Sequence, residues 1–263
     1  MNAKRLAPTA LLGAAFLLLL ADPVAAQAST TEEAIRGLNE KLLVVAIPIT
    51  VLVEGVLIYT VLKYRKNDEA KPTRENRRLE ITWTVATAVI LLFVGLSATM
   101  TMANPAVITD DVNDRADVPQ DAEHVQVTAE TYAWTFTYDK HNVSSSNKLV
   151  IPKGQETYFN VTTKDWLHAV HVPGLGLKQD AVPGQHHYIM TEATTEGTYQ
   201  GYCAEYCGVG HSGMMFEVEV MSQEDYQDWL KSQCEDAGGS WDAGSQTCTA
   251  GNSSSGSGSV AAA

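Results

Sequence analysis

The chain has 263 residues, of which 45% are hydrophobic and 19% are charged, and its formal net charge is −13. This length suits one large domain, or a membrane anchor followed by a smaller domain. The acidic balance argues against nucleic-acid binding, which requires basic surfaces. The hydrophobic residues are spread unevenly, because three apolar blocks lie in the first 103 residues and the remainder is polar.

The first apolar block has the features of a secretory signal. Lys4 and Arg5 form a positive start, an apolar run follows, and small residues precede Gln27. We therefore expect residues 1–26 to be a signal peptide that is cleaved after Ala26. An uncleaved membrane helix is the alternative.

The second and third blocks, residues 42–62 and 81–103, are each long enough to cross a bilayer core of about 30 Å as a helix. The loop between them, KYRKNDEAKPTRENRRLE, has seven basic and four acidic residues. Because basic loops stay on the cytoplasmic side, we expect residues 27–103 to form a two-helix anchor in the plasma membrane, in contact with lipid. Residues 104–263 are then extracytoplasmic.

The extracytoplasmic part is strongly acidic, with 22 Asp or Glu and seven Lys or Arg from residue 104 onward. This charge suits a cationic protein partner, a very salty medium or simply a solvated surface, and all three interpretations stay open. All four cysteines also lie here, where disulfides persist.

Short strand-like runs follow a Pro- and Asp-rich linker at 104–122. The runs are rich in β-branched and aromatic residues, and most of their junctions contain Gly or Pro. This pattern predicts an all-β sandwich or small barrel over residues 123–233. The predicted strands cover 125–138, 148–154, 156–163, 186–193, 197–203 and 215–221.

The end of the chain contains one predicted helix and a small loop. Residues 222–233 have Ser222 as a candidate N-cap and acidic residues in the first turn. We expect Cys234 and Cys248 to form a disulfide, because no histidine lies near them to complete a metal site. Residues 234–263 are thus interpreted as a disulfide loop followed by a disordered Ser/Gly tail.

The main chemical signal is the segment GYCAEYCGVGHSGMMFEVEV, which places Cys203, Cys207, His211 and Met214 within twelve positions. Two cysteines four residues apart suit a disulfide, a redox pair, a zinc site or a copper site. A disulfide leaves the histidine and the methionine unexplained, and a thioether is a poor zinc ligand. Thiolate, imidazole and thioether together suit copper, and two thiolates are able to bridge two copper ions.

A second nitrogen ligand must come from elsewhere, and the segment DWLHAVHVPGLGLKQDAVPG offers His168 and His171. Three residues apart on a strand, these side chains point to opposite faces, so one at most reaches the metal. The residues alone leave open which one it is.

The two segments resemble the copper-binding loops of subunit II of haem-copper cytochrome c oxidases. They occur in the family's order and at a similar separation. The resemblance extends from about residue 40 to residue 230, and it includes the two-helix anchor and the run EITWT at the start of the second span. It implies a cupredoxin-like Greek-key domain with a dinuclear copper centre, CuA.

The resemblance also implies the ligands of this centre. Five side chains and one backbone carbonyl match the family's positions: His168, Cys203, Cys207, His211 and Met214, with the carbonyl of Glu205. The Glu205 carboxylate matches a group that faces a magnesium or manganese ion at the join with the catalytic subunit. His171 falls where the family has no ligand, and we expect it, like His186 and His187, to have a surface or supporting position.

The run ETYAWTFTYD resembles the aromatic patch at which electrons arrive from the donor. Four aromatic residues share one face of a strand by period two: Tyr132, Trp134, Phe136 and Tyr138. Tyr132 stands where the family commonly has a tryptophan, so Trp134 is the first candidate for the donor contact and Tyr132 the second. A plain core stripe is the alternative. Acids such as Asp165 are candidates for docking a positively charged donor.

Two acidic residues belong to the predicted anchor. Glu80 matches a family carboxylate at the cytoplasmic mouth of a proton pathway, and pairing with a neighbouring arginine is the alternative. Glu54 lies in the middle of the first span, where an ionisable residue indicates a functional site, but its role is not assigned.

The residues and the resemblance together predict the electron-transfer subunit of a terminal oxidase. It would accept electrons from cytochrome c or a blue-copper protein and pass them to haem in subunit I, where oxygen is reduced and protons are translocated. A quinol-oxidising relative would lack the copper ligands. A membrane-anchored copper chaperone or thiol redox protein is the alternative, although it would not require Met214 or His168. A metal-free adhesion domain would leave the soft-ligand cluster unexplained.

Overall fold

The structure is a computed structural model that describes residues 28–69, 72, 74–108 and 117–250. The predicted signal peptide at 1–26 and the Ser/Gly run after residue 250 lie outside the described residues, as does part of the predicted linker.

Two long helices open the described part of the chain. Helix α1 spans Thr30–Tyr64 and helix α2 spans Arg77–Met102. Both are long and apolar enough to cross a membrane. Their bounds are wider than the predicted spans at 42–62 and 81–103 because hydropathy locates only the apolar part of a helix, whereas capping decides where the helix begins.

Helix α1 begins well before its apolar part, and this first portion contacts the β domain. The Ser29 hydroxyl caps the helix by accepting a hydrogen bond from the Glu32 amide at 3.0 Å, and it donates to the Leu175 carbonyl at 2.8 Å. The Thr31 and Thr191 hydroxyls are 2.9 Å apart. At 1.5 Å per residue α1 is about 50 Å long, so it exceeds a bilayer core of about 30 Å. Its first turns therefore reach the β domain.

The C-terminal part is a sandwich of two five-stranded sheets. The first sheet contains, in spatial order, β3 Val143–Ser146, β2 Ala133–Tyr138, β1 Glu123–Glu130, β5 Glu156–Thr163 and β8 His187–Glu192. The second contains β4 Lys148–Pro152, β10 Met215–Met221, β9 Gly197–Cys203, β6 His168–Val172 and β7 Leu177–Ala181.

The two sheets are mixed and enclose one core. Strands β1 and β5 are parallel, as are β4 and β10, and the other neighbours are antiparallel. Alternate residues point inward, so that Val127, Phe136, Leu149 and Phe216 are buried between the sheets. The predicted architecture, a two-helix hairpin followed by a cupredoxin-like sandwich, is confirmed.

The aromatic segment at 125–138 forms two strands, β1 and β2, so the prediction of a single strand is wrong. A turn separates the two, and the peptide bond before Tyr132 is cis. Period two holds only within β2, where Trp134, Phe136 and Tyr138 share a buried face. Tyr132 lies in the turn and is 39% exposed.

The end of the described chain folds against the sandwich. Helix α3 spans Gln223–Asp236, with Ser222 as its N-cap, and a short hairpin follows, formed by β11 Ser240–Asp242 and β12 Thr247–Thr249. A disulfide joins Cys234 on α3 to Cys248 on β12. The helix thus runs past the predicted end at residue 233.

A buried charged pair helps to hold this hairpin against the sandwich. His141 Nδ1 lies 2.7 Å from the Gln246 carbonyl, and Nε2 lies 3.0 Å from the Glu123 carboxylate. Both neighbours accept hydrogen bonds, so the ring donates from both nitrogens, which requires its charged form. Burial lowers the pKa of His141, but the hydrogen bond and charge of Glu123 outweigh burial and raise the pKa above 6.5.

This pair predicts a pH dependence of stability. Because the folded pKa of His141 is raised, its contribution is fully present below pH 6.5 and is lost as pH rises through the folded pKa. The free energy of unfolding should fall by at most about 1.4 kcal/mol per pH unit in that window. Chemical denaturation at several pH values measures this slope. Glu123→Gln should flatten it, whereas Glu156→Gln should not, and an unchanged slope in Glu123→Gln would refute the assignment.

Candidate metal centre

The soft-ligand cluster lies at the end of the sandwich where β9 leads into β10. Cys203 is the last residue of β9, and Met214 directly precedes β10. The Cys203 amide donates to the Met214 carbonyl at 3.0 Å, which closes the intervening loop. Cys207 and His211 lie within that loop. The antiparallel pairing of the two strands therefore brings all four residues together.

The two thiols have matching surroundings. Their sulfur atoms are 3.9 Å apart. Cys203 Sγ lies 3.7 Å from His168 Nδ1, and Cys207 Sγ lies 3.7 Å from His211 Nδ1. Each sulfur also lies beside a weaker candidate ligand. The Glu205 carbonyl is 3.2 Å from the Cys203 sulfur, and the Met214 thioether is 3.7 Å from the Cys207 sulfur. The six predicted ligand positions thus form one cluster.

Burial acts on the thiol of Cys207. It raises the pKa of Cys207 to about 11, and the adjacent Cys203 thiol adds to the effect. Both sulfurs are buried. Because a thiolate and not a thiol is the metal ligand, uptake of a metal ion must release protons from these groups.

His168 is oriented by a carboxylate. Its Nε2 lies 2.9 Å from Asp165 Oδ1, which leaves Nδ1 facing Cys203. Asp165 also accepts hydrogen bonds from the Thr131 and Trp166 amides, both at 2.7 Å. Partial burial opposes ionisation, but these hydrogen bonds lower the pKa of Asp165 below its usual value. The carboxylate is turned inward, so Asp165 is not the free docking charge that the sequence suggested.

Asp165→Asn should weaken metal binding. An amide accepts less strongly from His168 Nε2, so the ring loses its fixed orientation, and loss of such a carboxylate typically costs about 10- to 100-fold in metal affinity. Competition with a chelator measures the affinity, and the absorption spectrum reports the ligand field. Asp180→Asn on β7 is the matched control. Equal affinities of the two variants would contradict this role.

Trp134 does not reach the surface. Its side chain is fully buried, with its ring centroid 6.2 Å from that of His168 and 5.4 Å from that of Phe216. Trp134 is the first aromatic residue of β2, and inward alternation places it in the core. The prediction that Trp134 makes the direct donor contact is therefore wrong, and the core position given as the alternative is what the structure shows.

Tyr132 lies directly against the loop between β9 and β10. A Cβ atom added to Gly208 would lie 2.6 Å from its phenol oxygen, and one added to Gly210 would lie 2.5 Å from its ring. Gly208 also has a φ of +128°, which favours glycine. This contact was not predicted from the sequence. The two glycines flanking Val209 were the available signal.

The other predicted residues lie outside the cluster. His171 bonds to the Leu177 carbonyl, His186 to the Asn160 side chain and His187 to the Asp180 carbonyl. Glu54 lies within α1 and Glu80 lies in the first turn of α2.

The donor set fits copper. Two thiols, two imidazoles and a thioether are soft or intermediate ligands of the type that copper prefers. Within the described part of the chain, one group of three or more His, Cys, Asp or Glu ligand atoms lies close enough to hold a metal, and it consists of His168, Cys203 and Cys207. The Glu205 carboxylate is not in it, so a magnesium ion there would need ligands from another subunit.

The fold and the cluster define a membrane-anchored cupredoxin-like protein with a cluster of soft ligands able to hold a metal ion. Two family models match the chain: "Cytochrome C oxidase subunit II, transmembrane domain" over residues 21–99 and "Cytochrome C oxidase subunit II, periplasmic domain" over residues 136–221.

Curated relatives agree with these matches. The cytochrome c oxidase subunit 2 of Synechocystis sp. is 30% identical over 249 residues, covering 79% of this chain and 74% of the relative. The probable cytochrome c oxidase subunit 2 of Rickettsia bellii is 27% identical over 229 residues, covering 78% of this chain and 81% of the relative. The chain therefore belongs to the cytochrome c oxidase subunit II family.

Two solved structures are also similar. The periplasmic domain of subunit II of cytochrome oxidase from Bradyrhizobium japonicum matches with a TM-score of 0.43 and 24% identity, over 45% of this chain and 98% of that chain. A haem-copper terminal oxidase dimer matches with a TM-score of 0.43 and 25% identity, over 54% of this chain and 99% of that chain.

Membership of the family establishes the general role. The chain is a subunit of an oxidase, and the family implies copper and electron transport. Helices α1 and α2 form the two-pass membrane part, and the β domain lies on the periplasmic side, as predicted.

Proposed function

We propose that this chain is the electron-transfer subunit of its oxidase and that it binds a dinuclear copper centre, CuA. It accepts electrons from an external cytochrome c or blue-copper protein. It passes them to haem in subunit I, where oxygen is reduced to water and protons are translocated. The observation that supports this most strongly is the pair of sulfur atoms 3.9 Å apart, each with an imidazole nitrogen at 3.7 Å.

The chain's own groups have distinct roles in this centre. The Cys203 and Cys207 sulfurs, 3.9 Å apart, would hold the copper together with one nitrogen each from His168 and His211. Met214 lies beside the Cys207 sulfur and the Glu205 carbonyl lies beside the Cys203 sulfur, both as weak metal ligands. Copper, when bound, supplies one-electron redox chemistry.

The surroundings favour relay of electrons over bond making. His168 and Met214 are fully buried, and the cysteines are buried. The two cysteines, the two histidines, Met214 and the Glu205 carbonyl would together fill the coordination positions of bound copper, whereas a catalytic metal keeps an open position for substrate. The β9–β10 hairpin carries Cys203, Cys207, His211 and Met214, and strand β6, paired with β9, carries His168.

Tyr132 is the better candidate for the point where electrons arrive. It is exposed, and its ring contacts the loop that carries Cys207 and His211. Trp134, two residues further along the chain, packs against His168. An electron arriving at Tyr132 would therefore reach the proposed ligands through the loop that carries Cys207 and His211.

Further assignments follow from the family resemblance. We propose that Glu80 lies at the mouth of the proton pathway and that the Glu205 carboxylate binds magnesium or manganese at the join with subunit I. We also propose that residues 1–26 are removed as a signal peptide. A copper chaperone or thiol redox protein is not favoured, because family models match both the anchor and the β domain.

Metal analysis of the purified full chain tests the proposal. Two copper ions per chain, with the intense absorption expected of thiolate-bound copper, are the expected result. One copper ion, or one zinc ion, would overturn the dinuclear assignment.

Met214→Leu should keep the metal but change its redox behaviour. A thioether is a weak ligand that tunes the potential of copper sites, and leucine is similar in size, so the buried position stays filled. Copper content should be unchanged while the midpoint potential and the spectrum shift. Met215→Leu, on an exposed neighbour, is the matched control. Complete loss of copper in Met214→Leu would contradict the weak-ligand role.

A further inference from the structure

A polar cavity lies where the two membrane helices meet the β domain. It has a volume of about 710 Å³. Helix α1 lines it between Thr30 and Lys41, α2 and the turn after it contribute residues 100–106, and strands β5 and β8 form the third wall. The contact between the Thr31 and Thr191 hydroxyls holds α1 against β8 at this point. The polar cavity is therefore a defined part of the fold at the outer end of both membrane helices.

Four charged side chains line the polar cavity. Glu156 on β5 and Glu192 on β8 are directly opposite each other in the strand pairing. Glu33 and Lys41 face the same cavity from α1. Like charges directly opposite across two strands are destabilising. Within the described part of the chain, none of these four side chains has a salt-bridge partner. The cavity therefore favours a ligand that brings a positive group to the carboxylates.

An apolar groove continues from the polar cavity toward the middle of the membrane helices. It has a volume of about 350 Å³ and is lined by residues within 42–50 of α1 and 90–94 of α2. Lys41 of the polar cavity and Val45 and Ile49 of the apolar groove are four residues apart, so they form one stripe along α1. The cavity and the groove are therefore consecutive parts of one seam between the two helices.

The order of chemical groups along this seam matches that of a phospholipid. The carboxylates lie outermost, Lys41 lies at the start of the predicted span, and the groove follows. The groove is apolar apart from Thr50, whose hydroxyl donates to the Ala46 carbonyl at 2.9 Å. Lys41 and Ile49 are about 12 Å apart along the helix, which is close to the roughly 15 Å depth of one leaflet of the bilayer core.

We propose that the seam binds one phospholipid whose headgroup carries a primary ammonium, as in phosphatidylethanolamine. A primary ammonium donates three hydrogen bonds, and the carboxylates of Glu33, Glu156 and Glu192 accept them. The phosphate lies at Lys41, and one acyl chain fills the apolar groove. A trimethylated headgroup has no N–H to donate, and an anionic headgroup is repelled by three carboxylates.

The bound lipid connects the membrane part to the β domain. Its headgroup is held by side chains from α1 and from both β5 and β8, so its binding adds to the stability of their contact. The seam shares no residue with the proposed copper ligands. The proposal therefore goes beyond the proposed function and does not depend on it.

Native mass spectrometry of the purified full chain in detergent tests the proposal. Phosphatidylethanolamine, phosphatidylcholine and phosphatidylglycerol are added in equal amounts. One phosphatidylethanolamine per chain should be retained about tenfold more strongly than the other two lipids, as expected for one or more charged hydrogen bonds. Equal retention of the three lipids, or a preference for phosphatidylglycerol, would overturn the proposal.

Glu192→Gln tests the headgroup contact. It removes one of the two opposed carboxylates and should lower the retention of phosphatidylethanolamine by about tenfold. Glu40→Gln is the matched control, because Glu40 is an exposed carboxylate next to Lys41 that does not line the cavity. It should leave retention unchanged. Equal retention by the two variants would refute the headgroup contact.

Ala46→Trp tests the acyl-chain contact by filling the apolar groove. It should also lower lipid retention, whereas Val44→Trp should not, because Val44 is exposed and lies outside the groove. Retention that is the same in both tryptophan variants would show that no acyl chain occupies the groove.

The assembled oxidase distinguishes a lipid from another subunit in the groove. Leu42 lines the groove, and photo-leucine at this position keeps nearly the same size while forming a crosslink on illumination. A crosslink to phospholipid is the expected result. A crosslink to another subunit would show that protein covers the groove and would overturn the proposal.

Discussion

Cys207→Ser is expected to abolish the proposed dinuclear centre, reducing bound copper from two ions to one or none and electron uptake to background. A serine hydroxyl is a hard ligand that stays protonated near neutral pH, so it cannot replace a soft, shared thiolate. Cys207 Sγ lies within 3.9 Å of three other predicted ligands, Cys203, His211 and Met214. Its removal therefore affects both halves of the cluster.

Copper content and the absorption spectrum of the purified full chain provide the measurement. The double variant Cys234→Ser/Cys248→Ser is the control. It also replaces cysteine sulfur with a serine oxygen, but at the disulfide between α3 and β12. It should keep both copper ions while losing about 3 kcal/mol of stability, as expected for a disulfide that closes a short loop. A Cys207→Ser chain that retains two copper ions would show that the thiols do not share the metal.

Gly208→Ala is expected to destabilise the loop between β9 and β10 by about 1–3 kcal/mol, the usual cost of a residue held in unfavourable backbone geometry. Two effects act together, because the φ of +128° suits only glycine and the new methyl group would lie 2.6 Å from the Tyr132 oxygen. Either the loop or the tyrosine must move. Movement of the loop would displace Cys207 and change the copper spectrum.

The loop also supplies the control for this variant. A Cβ atom added to Gly213 meets nothing within 4 Å, so Gly213→Ala should be nearly neutral in unfolding and in the spectrum. The double variant Gly208→Ala/Tyr132→Phe removes the clashing oxygen and should recover part of the lost stability. The cost of placing alanine at a positive φ should remain. Equal stability of Gly208→Ala and Gly213→Ala would contradict the described contact.

Parts of the fold with a strong local pattern were predictable from the sequence. The alternating run Met215–Met221 and the segments Glu156–Thr163 and Gly197–Cys203 form strands with the predicted bounds. Strand β3, Val143–Ser146, was missed because a serine-rich segment carries no apolar alternation. Its strand conformation depends on pairing with β2.

The site was predictable as a set of ligand types but not as a set of contacts. Spacing within the chain brings Cys203 and Cys207 together, whereas His168 joins them only through the sheet, where Val170 of β6 pairs with Cys203 of β9. The inward turn of Asp165 and the position of Tyr132 depend on a turn between β1 and β2. No periodic pattern signals that turn, so sequence reasoning extended the strand through it and assigned Trp134 to the surface.

The contact between α1 and the β domain limits how the subunit can work. The sandwich is connected to the membrane part at one point through α2 and the following segment, and at a second through Ser29 and Thr31. A β sandwich held at two places cannot move between partners as a flexibly tethered domain would. If the proposed electron transfer is correct, a mobile donor would have to come to the domain, bind and leave at each turnover.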